Sequence, residues 1–318
     1  MPNNSNKNST PLRKSCPTHQ RTLAKAVHFE GTGVHSGKPV SLTIKPAPPN
    51  TGINFRRVDL PTSPLVKAIF KRVVDTSLAT VIGEGGCIVS TVEHLMACLS
   101  GLSIDNAICE IDDYEAPIMD GSAGQFTRAI QTAGIVRQDA PRMYFIIKKP
   151  IERVAGDKWV RLYPCRERKI SCTIEFEHPV IAKQSLDLIL SEANFVEQIS
   201  NARTFGFLHE VEYMQFFGLA KGGSLDNSVV IDENGVLNED GLRHPDEFVR
   251  HKILDAIGDF ALLGMPILGH IVLHKSGHNF NHQFLKTFFD NKSAWETASL
   301  DSLDICDPPE MDQAYRVG

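Results

Sequence analysis

The sequence lacks the cysteine pattern of a disulfide-stapled protein or of a thiolate zinc protein. Its seven cysteines are an odd number and include no CxxC pair, so neither a disulfide framework nor a Cys-rich zinc cluster is expected. Such a composition is typical of a reducing compartment, and we expect a cytoplasmic protein. The cysteines stand at positions 16, 87, 98, 109, 165, 172 and 306.

An excess of positive charge and a long apolar run are also missing. The chain of 318 residues has 33 Lys and Arg residues against 38 Asp and Glu residues, a net charge of −5, which provides no broad basic surface for nucleic acid. The longest apolar stretch, residues 260–273, is interrupted by Gly264 and Pro266 and is too short for a transmembrane helix. We therefore expect no nucleic-acid partner and no membrane-spanning segment.

Three common catalytic motifs are absent. The sequence contains no GxxxxGK[ST], HExxH or GxSxG, which excludes the usual P-loop, zincin and α/β-hydrolase sites. Residues 1–20 are rich in Asn, Ser, Lys and Pro and have no apolar core of a secretory signal, so we interpret them as a disordered leader. No role can be assigned to the tail, residues 299–318.

Short apolar patterns separated by turns predict an α+β protein of two halves of similar size, although no sequence repeat relates them. Alternation predicts a strand at 40–44, and helical spacing predicts helices at 90–100 and 123–132. A polar interruption at 136–142 predicts the boundary between two domains, residues 21–138 and 142–298. In the second half we predict strands at 144–151, 158–163 and 170–176, helices at 192–199, 245–263 and 282–290, and an apolar insert at about 205–236.

The helix predicted at 245–263 carries a polar stripe. His251, Asp255 and Asp259 are spaced at i, i+4 and i+8, so one imidazole and two carboxylates share a helix face. A histidine and a carboxylate one turn apart can hold a divalent metal together, but a zinc site needs a third ligand. The alternatives are an intrahelical ion pair between His251 and Asp255 and a surface charge at Asp259.

His94 is the best candidate for the missing ligand, and Glu93 lies directly before it. A carboxylate next to a ligand points about a quarter turn away on a helix and could reach a water at the metal without binding the metal, which is the position of a general base. The alternative for Glu93 is a capping box with Ser90 at the start of the helix.

Three histidines lie four residues apart in the second half, at His274, His278 and His282, but the pair Ser276-Gly277 interrupts a continuous helix. We expect only one of them to point into a site. A loop histidine can donate a proton when a carboxylate raises its pKa, and Asp259 is a plausible partner. The alternative is a set of solvated loop histidines.

Taken together, several long segments resemble UDP-3-O-acyl-N-acetylglucosamine deacetylase, the zinc amidase of lipid A biosynthesis. The resemblance covers about residues 20–298. The segments that carry it are RTL at 21–23, GTGVHSG at 31–37, STVEHL at 90–95, PIMDGS at 117–122, ARTFGF at 202–207, GGS at 222–224, VRHKILDAIGD at 249–259 and KSGH at 275–278.

The resemblance implies two similar α+β domains, each a small sheet with helices, with the helix layers pressed between the two sheets. It implies Zn²⁺ as cofactor, with His94, His251 and Asp255 as its ligands. It also implies catalytic roles: Glu93 as the base that activates water, Thr204 and Lys252 as stabilisers of the oxyanion, and His278, held by Asp259, as the acid that protonates the leaving amine.

The implied reaction is hydrolysis of the N-acetyl group of UDP-3-O-(3-hydroxyacyl)-N-acetylglucosamine with release of acetate, the committed step of lipid A biosynthesis. The segment from Phe205 to Leu219 corresponds to the family's hydrophobic passage for the acyl chain. We expect a monomer. The residues matched to binding of the uridine diphosphate are Lys158, Phe176, Arg203 and Lys275.

Two other functions remain open from the sequence. One is a zinc amidohydrolase that acts on a different acylated sugar nucleotide. The other is a noncatalytic protein that binds a sugar nucleotide or lipid and uses zinc for structure only. The second is disfavoured because a structural zinc needs four closed ligands and no acid or base such as Glu93 and His278.

Overall fold

The computed structural model describes residues 16–302. The predicted leader up to residue 15 and the predicted tail from residue 303 lie outside the described residues. The strands of the described part are β1 His19–Leu23, β2 Val27–Thr32, β3 Pro39–Pro46, β4 Ile53–Arg57, β5 Leu65–Lys67, β6 Val73–Asp75, β7 Val81–Glu84, β8 Cys87–Val89, β9 Ala107–Ile111, β10 Ile135–Pro141, β11 Met143–Ile147, β12 Ile151–Ala155, β13 Lys158–Tyr163, β14 Arg168–Glu175, β15 Lys183–Ile189, β16 Phe205–Phe207, β17 Val229–Asp232, β18 Gly235–Val236, β19 Ile267–His274 and β20 Trp295–Ser299.

The helices of the same part are fewer. They are α1 Glu93–Gly101, α2 Gly124–Ala133, α3 Glu192–Asn194 with a π-helical continuation over Phe195–Ile199, α4 Leu208–Phe216, α5 Glu247–Ala261 and α6 His278–Asp290. Among these described helices, none combines the length and the apolar character that crossing a bilayer requires.

Each half of the chain builds one main sheet. Before residue 142, β2, β3, β9, β4 and β5 form a five-stranded sheet in the order 2-3-9-4-5. After it, seven strands form the larger sheet around β19, which pairs with β11, β13 and β14. Alternate residues of β3, Val40, Leu42 and Ile44, are buried, as expected for a strand with one face on the core.

Helices α1, α2 and α5 lie between the two sheets. α5 packs against β14 and β15 of the larger sheet on one side and against α1 on the other, while α2 contacts both α1 and β2. One continuous apolar core runs through both halves. This arrangement confirms the predicted α+β class with helices layered between sheets.

The start of the described chain corrects one prediction, and its end adds an observation on the tail. Residues 16–20 are not a disordered leader, because Cys16 is buried and the Tyr144 hydroxyl donates a hydrogen bond to the Pro17 carbonyl at 2.6 Å. At the other end, Ser299 closes β20 and Leu300 is buried. Both segments therefore pack beside β11 of the larger sheet, since Pro17 bonds to Tyr144 and β20 pairs with β11.

Several predicted elements differ in extent. The polar interruption at 136–142 is largely strand β10, which pairs antiparallel with β1. Helix α6 begins at His278 rather than at residue 282, because Gly277 is extended and serves as its N-cap. Strand β15 and helix α4 were not predicted from the sequence.

Candidate metal and acid-base site

Helices α1 and α5 approach each other closely at one glycine. A Cβ atom on Gly258 would lie 2.1 Å from the carbonyl oxygen of Glu93, a distance that no side chain tolerates. The absence of a side chain at this position therefore lets the first turn of α1 rest on the middle of α5. This contact brings His94 and Glu93 from the first half of the chain next to the polar stripe of α5.

Three side chains converge at this contact. One ligand atom from each of His94, His251 and Asp255 lies within 4.8 Å of the others, and all three residues are buried. Asp255 Oδ1 lies 3.2 Å from His251 Nε2 and 3.5 Å from His94 Nε2. Among the described residues, this buried oxygen has no hydrogen-bond donor. Two imidazole nitrogens and an unsatisfied carboxylate oxygen aimed at one point fit a divalent cation.

The surrounding contacts set the protonation states of His251 and Asp255. His251 Nδ1 lies 3.1 Å from the carbonyl oxygen of Ala202, so this nitrogen carries the proton and Nε2 offers its lone pair. Burial lowers the pKa of His251. Burial also acts to raise the pKa of Asp255, but the neighbouring His251 and Lys252 hold it well below its usual value. A neutral imidazole and an ionised carboxylate are the forms that bind metal.

Glu93 is a buried carboxyl beside this cluster. Its Oε2 accepts a hydrogen bond from the backbone N–H of Thr80 at 3.0 Å. Burial raises the pKa of Glu93 to about 7, with Asp259 and Asp255 adding to the shift and His278 opposing it. A carboxyl that titrates near neutrality can exchange a proton at physiological pH.

The capping-box alternative for Glu93 is wrong. Helix α1 has Val92 as its N-cap, and no side chain caps it. Ser90 lies outside the helix, where its N–H donates to the carbonyl of Tyr114. The carboxylate of Glu93 is therefore bound to Thr80 rather than to the helix terminus.

His278 faces Glu93 across the site. Its Nδ1 lies 2.9 Å from Asp259 Oδ2, and its Nε2 lies 3.7 Å from Glu93 Oε1. Burial acts to lower the pKa of His278, but the carboxylates of Asp259 and Glu93 outweigh it and raise the pKa to about 10. His278 is therefore an imidazolium whose Nε2 proton points toward Glu93 and Asp255.

Asp259 is neither a surface charge nor free to move. It is 3% exposed, and two further donors hold it: the Thr80 hydroxyl at 2.6 Å from Oδ1 and the Asn281 amide at 2.8 Å from Oδ2. The surface alternative for Asp259 and the solvated-loop alternative for His278 are both wrong. His274 lies elsewhere, with its ring stacked on Trp159.

Three contributors to the site were missed from the sequence. Thr80 binds both Glu93 and Asp259, Asn281 binds Asp259, and the Ala202 carbonyl binds His251. Asn281 follows His278 by three residues, so helical spacing would have indicated it if α6 had been predicted to begin at His278. Thr80 and Ala202 act through backbone or loop contacts that leave no pattern in the sequence.

The other predicted site residues fall into two groups. Lys252 Nζ donates to Asp255 Oδ2 at 3.0 Å and lies 5.4 Å from the ring centroid of Phe205. Thr204 directly precedes Phe205, and the ring of Phe176 packs edge-on against that of Phe205. Of these residues, Lys252 and Phe205 adjoin the metal cluster, since Lys252 bonds to Asp255 and the ring centroid of Phe205 lies 6.3 Å from that of His251.

The predicted cations for the uridine diphosphate are farther apart. Lys158 is exposed at the start of β13, and Lys275 Nζ lies 2.9 Å from Glu175 and 3.0 Å from Asp157. Arg203 is 2% exposed, and its guanidinium is engaged by Glu247, Asp240 and the Gly241 carbonyl. This placement corrects the expectation that Arg203 contacts a diphosphate, because its donors are already satisfied.

Helix α4 and the turn after it expose large apolar side chains. Tyr213, Phe216 and Phe217 are 67%, 85% and 60% exposed. Exposed aromatic residues in such number on one short segment are typical of a surface that contacts an apolar ligand. This segment is the one that the sequence predicted as an apolar insert.

The chain is similar to one characterised family over most of its length. The family model described as LpxC, UDP-3-O-acyl N-acetylglycosamine deacetylase, matches residues 20–290. A UDP-3-O-acyl-N-acetylglucosamine deacetylase of Myxococcus xanthus is 52% identical over 278 residues, 87% of this chain and 88% of the relative. Proteins of the same name from Teredinibacter turnerae and Saccharophagus degradans are 49% and 48% identical, covering 89% and 90% of this chain and 94% and 95% of the relatives.

Proposed function

The chain belongs to the family of UDP-3-O-acyl-N-acetylglucosamine deacetylases, and from this premise we propose how its residues perform the reaction. The protein hydrolyses the N-acetyl amide of UDP-3-O-(3-hydroxyacyl)-N-acetylglucosamine and releases acetate, in the committed step of lipid A biosynthesis. It acts in the cytoplasm as a monomer. The observation that carries the proposal is the convergence of His94, His251 and Asp255 beside a buried carboxyl and a charged imidazole.

The proposed cation is zinc, which His94, His251 and Asp255 would hold. Two nitrogens and one oxygen are a ligand set typical of catalytic zinc, which keeps its fourth position for water or substrate. When bound, zinc polarises a carbonyl oxygen and lowers the pKa of water. The unsatisfied Oδ1 of Asp255 supports this assignment, since a buried carboxylate oxygen without a donor is costly unless a cation occupies the site.

The remaining groups supply proton transfer and charge stabilisation. Glu93, with a pKa near neutrality, takes a proton from the attacking water while the water oxygen bonds to the acetamide carbon. Lys252 and the Thr204 hydroxyl stabilise the negative charge that develops on the carbonyl oxygen. His278 then gives its Nε2 proton to the amine nitrogen as the C–N bond breaks, and Asp259 keeps that imidazole charged and oriented.

The substrate's two ends have matching surfaces. The exposed aromatic side chains of residues 213–217 line a passage for the acyl chain, beginning at Phe205. Phe176 packs on Phe205 and offers a ring to the nucleotide, while Lys158 and Lys275 supply positive charge for the diphosphate. Arg203 serves to hold α5 through Glu247 instead.

Metal removal tests the proposal directly. Acetate release from the acylated UDP-sugar is expected to stop after dialysis against a chelator and to return on addition of one equivalent of zinc. Release that continues undiminished in protein shown by elemental analysis to be free of metal would overturn the mechanism.

Two histidine variants localise the metal. His251→Ala is expected to purify with far less than stoichiometric zinc, because it removes one of three ligands. His274→Ala is the matched control, since this ring stacks on Trp159 away from the cluster and its loss should leave zinc content unchanged. Elemental analysis of both purified variants checks the ligand set, which is wrong if His251→Ala retains a full equivalent.

A further inference from the structure

A cavity lies between the two halves and is lined in part by the helices that carry the metal cluster. It has a volume of about 430 Å³, within the range of about 300–1,000 Å³ usual for small-molecule sites. Its lining includes Met96 and Leu99 of α1 and Ile257 and Phe260 of α5. We refer to it as the rear cavity.

The helical geometry separates the rear cavity from the metal cluster. Met96 and Leu99 follow His94 by two and five residues, and Ile257 and Phe260 stand in the same relation to Asp255. Offsets of two and five residues on an α-helix turn a side chain by about 140–160° from the first position. The two helices therefore present their ligands to one side and the apolar walls of the rear cavity to the other.

One end of the rear cavity holds two buried arginines. Arg142 and Arg168 line it and are 3% and 7% exposed. Arg142 Nε donates to Asp105 Oδ1 at 2.8 Å. Within residues 16–302 the side chain of Arg168 has no hydrogen bond or ion pair at contact distance, and the carboxylate that attracts its charge is that of Asp105. A buried guanidinium that must share its counter-ion is costly, and among the described residues that line the cavity Asp105 is the one carboxylate beside two arginines.

The electrostatic surroundings of Arg168 agree with a shortage of negative charge at this end of the cavity. Burial lowers the pKa of Arg168, and the positive charge of Arg142 lowers it further. Asp105, which faces both arginines, is already bonded to Arg142 and to the backbone N–H of Arg21. Two guanidinium groups thus share one carboxylate.

The shape and charge together identify the chemistry of a ligand. A small anion would pair with Arg168 but would leave the apolar walls formed by Met96, Leu99 and Phe260 in contact with water. A neutral hydrocarbon would cover those walls but would leave the charge of Arg168 uncompensated. A molecule with an acyl chain and one terminal carboxylate satisfies both.

We propose that the rear cavity binds a long-chain fatty carboxylate, with its head group paired with Arg168 and its hydrocarbon chain against Met96, Leu99 and Phe260. The planar guanidinium can bind a carboxylate through two parallel hydrogen bonds. This site is separate from the acyl-chain passage at residues 205–219 and does not depend on catalysis.

Titration with laurate tests the proposal. Calorimetry on the metal-loaded full-length protein is expected to detect binding that weakens at least tenfold in Arg168→Met, because the charged hydrogen bonds are lost. Arg168→Met should itself remain folded, since replacing an unpaired buried charge by an apolar side chain is neutral or stabilising. Laurate should raise the Tm of the unchanged protein and not that of this variant.

Two further variants separate the rear cavity from the passage. Ala261→Leu fills the cavity from the end of α5 while keeping Arg168, and it should weaken laurate binding as well. Phe216→Asp places a charge on the exposed aromatic segment and should leave the Arg168-dependent binding unchanged. Dodecanol, which has the chain without the carboxylate, and acetate, which has the carboxylate without the chain, should each bind far more weakly than laurate.

The outcomes are distinct. Loss of laurate binding in Arg168→Met and Ala261→Leu but not in Phe216→Asp supports the proposal. Absence of laurate binding, equal binding of dodecanol and laurate, or loss of binding only in Phe216→Asp would overturn it.

Discussion

Asp259 determines both the charge and the direction of the His278 ring. Its two carboxylate oxygens are held by Thr80 and Asn281 while one bonds to His278 Nδ1. Because Thr80 and Asn281 fix the position of this carboxylate, Asp259 sets the orientation of the His278 ring. The proton on His278 Nε2 is therefore directed toward Glu93 and Asp255, where we propose that the leaving amine lies.

Neutralising Asp259 should change the pH dependence of the reaction. The carboxylate helps raise the pKa of His278 to about 10, and the reaction needs the protonated ring. In Asp259→Asn that pKa falls, so the basic limb of the kcat/KM profile should move to lower pH, with a smaller movement in Thr80→Val. Acetate release measured from pH 6 to pH 10.5 checks this. A basic limb that stays in place would show that Asp259 does not set the pKa of the catalytic acid.

Replacement of Glu93 should separate catalysis from metal binding. Glu93→Gln keeps the hydrogen-bond acceptor for the Thr80 N–H but cannot take a proton from water. We expect kcat to fall by about 10²–10⁴-fold with zinc content unchanged by elemental analysis. A variant that has lost its zinc would show instead that Glu93 acts on the metal rather than on the water.

Residue spacing could predict much of this site, because part of it is local. His251 and Asp255 share a face of one helix, so their proximity follows from the helical repeat. His94 was the candidate third ligand because of its position after Glu93, whereas the choice of His278 among three histidines rested on the resemblance to the family. Thr80 and the Ala202 carbonyl could not be predicted, since they reach the site from loops whose positions depend on the packing of both halves.

At the scale of elements, the contact between α1 and α5 depends on Gly258. A methyl group there would meet the Glu93 carbonyl at 2.1 Å, and neither backbone can yield without moving a metal ligand. Gly258→Ala is expected to lower the free energy of unfolding by about 1–3 kcal/mol and to reduce zinc content.

A second glycine provides the control for this prediction. Gly206→Ala would place its methyl group 3.4 Å from Val211, an ordinary contact, and should keep its zinc. Urea unfolding and elemental analysis of both variants compare them. Equal zinc content in Gly258→Ala and the unchanged protein would mean that the helices can separate without disturbing the ligands.

The elements that sequence patterns predicted well are those with strong local signals. The central parts of α1, α2 and α5 follow apolar helical spacing, and β3 follows alternation. Helix α4 escaped prediction because its exposed aromatic residues give no amphipathic pattern. The start of α6 was displaced because the pair Ser276-Gly277 indicated a break, whereas Gly277 is the cap that begins the helix.

For the whole molecule, Asp105 links the halves because its carboxylate bonds to the buried Arg142 and also attracts the buried Arg168. It bonds to Arg142 at the start of the second half and to the Arg21 N–H in the first. Asp105→Asn should lower the free energy of unfolding by about 3 kcal/mol, because it leaves Arg142 and Arg168 without a carboxylate. Adding Arg168→Met should recover part of this loss.

An exposed ion pair serves as the comparison. Asp187→Asn removes a carboxylate that is 69% exposed beside Lys169, and such pairs contribute little in water. Urea unfolding of the three variants in chelator-treated protein checks the prediction. A loss in Asp105→Asn no larger than that in Asp187→Asn would show that the arginines are compensated by solvent.

The three residues that we propose as metal ligands are divided between the halves, with His94 on one side of the seam where the halves meet and His251 and Asp255 on the other. Ion capture and interdomain docking are therefore thermodynamically linked, because a ligand that binds only the assembled state stabilises it in proportion to the logarithm of its concentration. When the ion is scarce, the contact between the halves therefore loses stability in addition to the loss of catalysis. Under metal starvation the seam itself would become the first place where the protein opens to proteolysis.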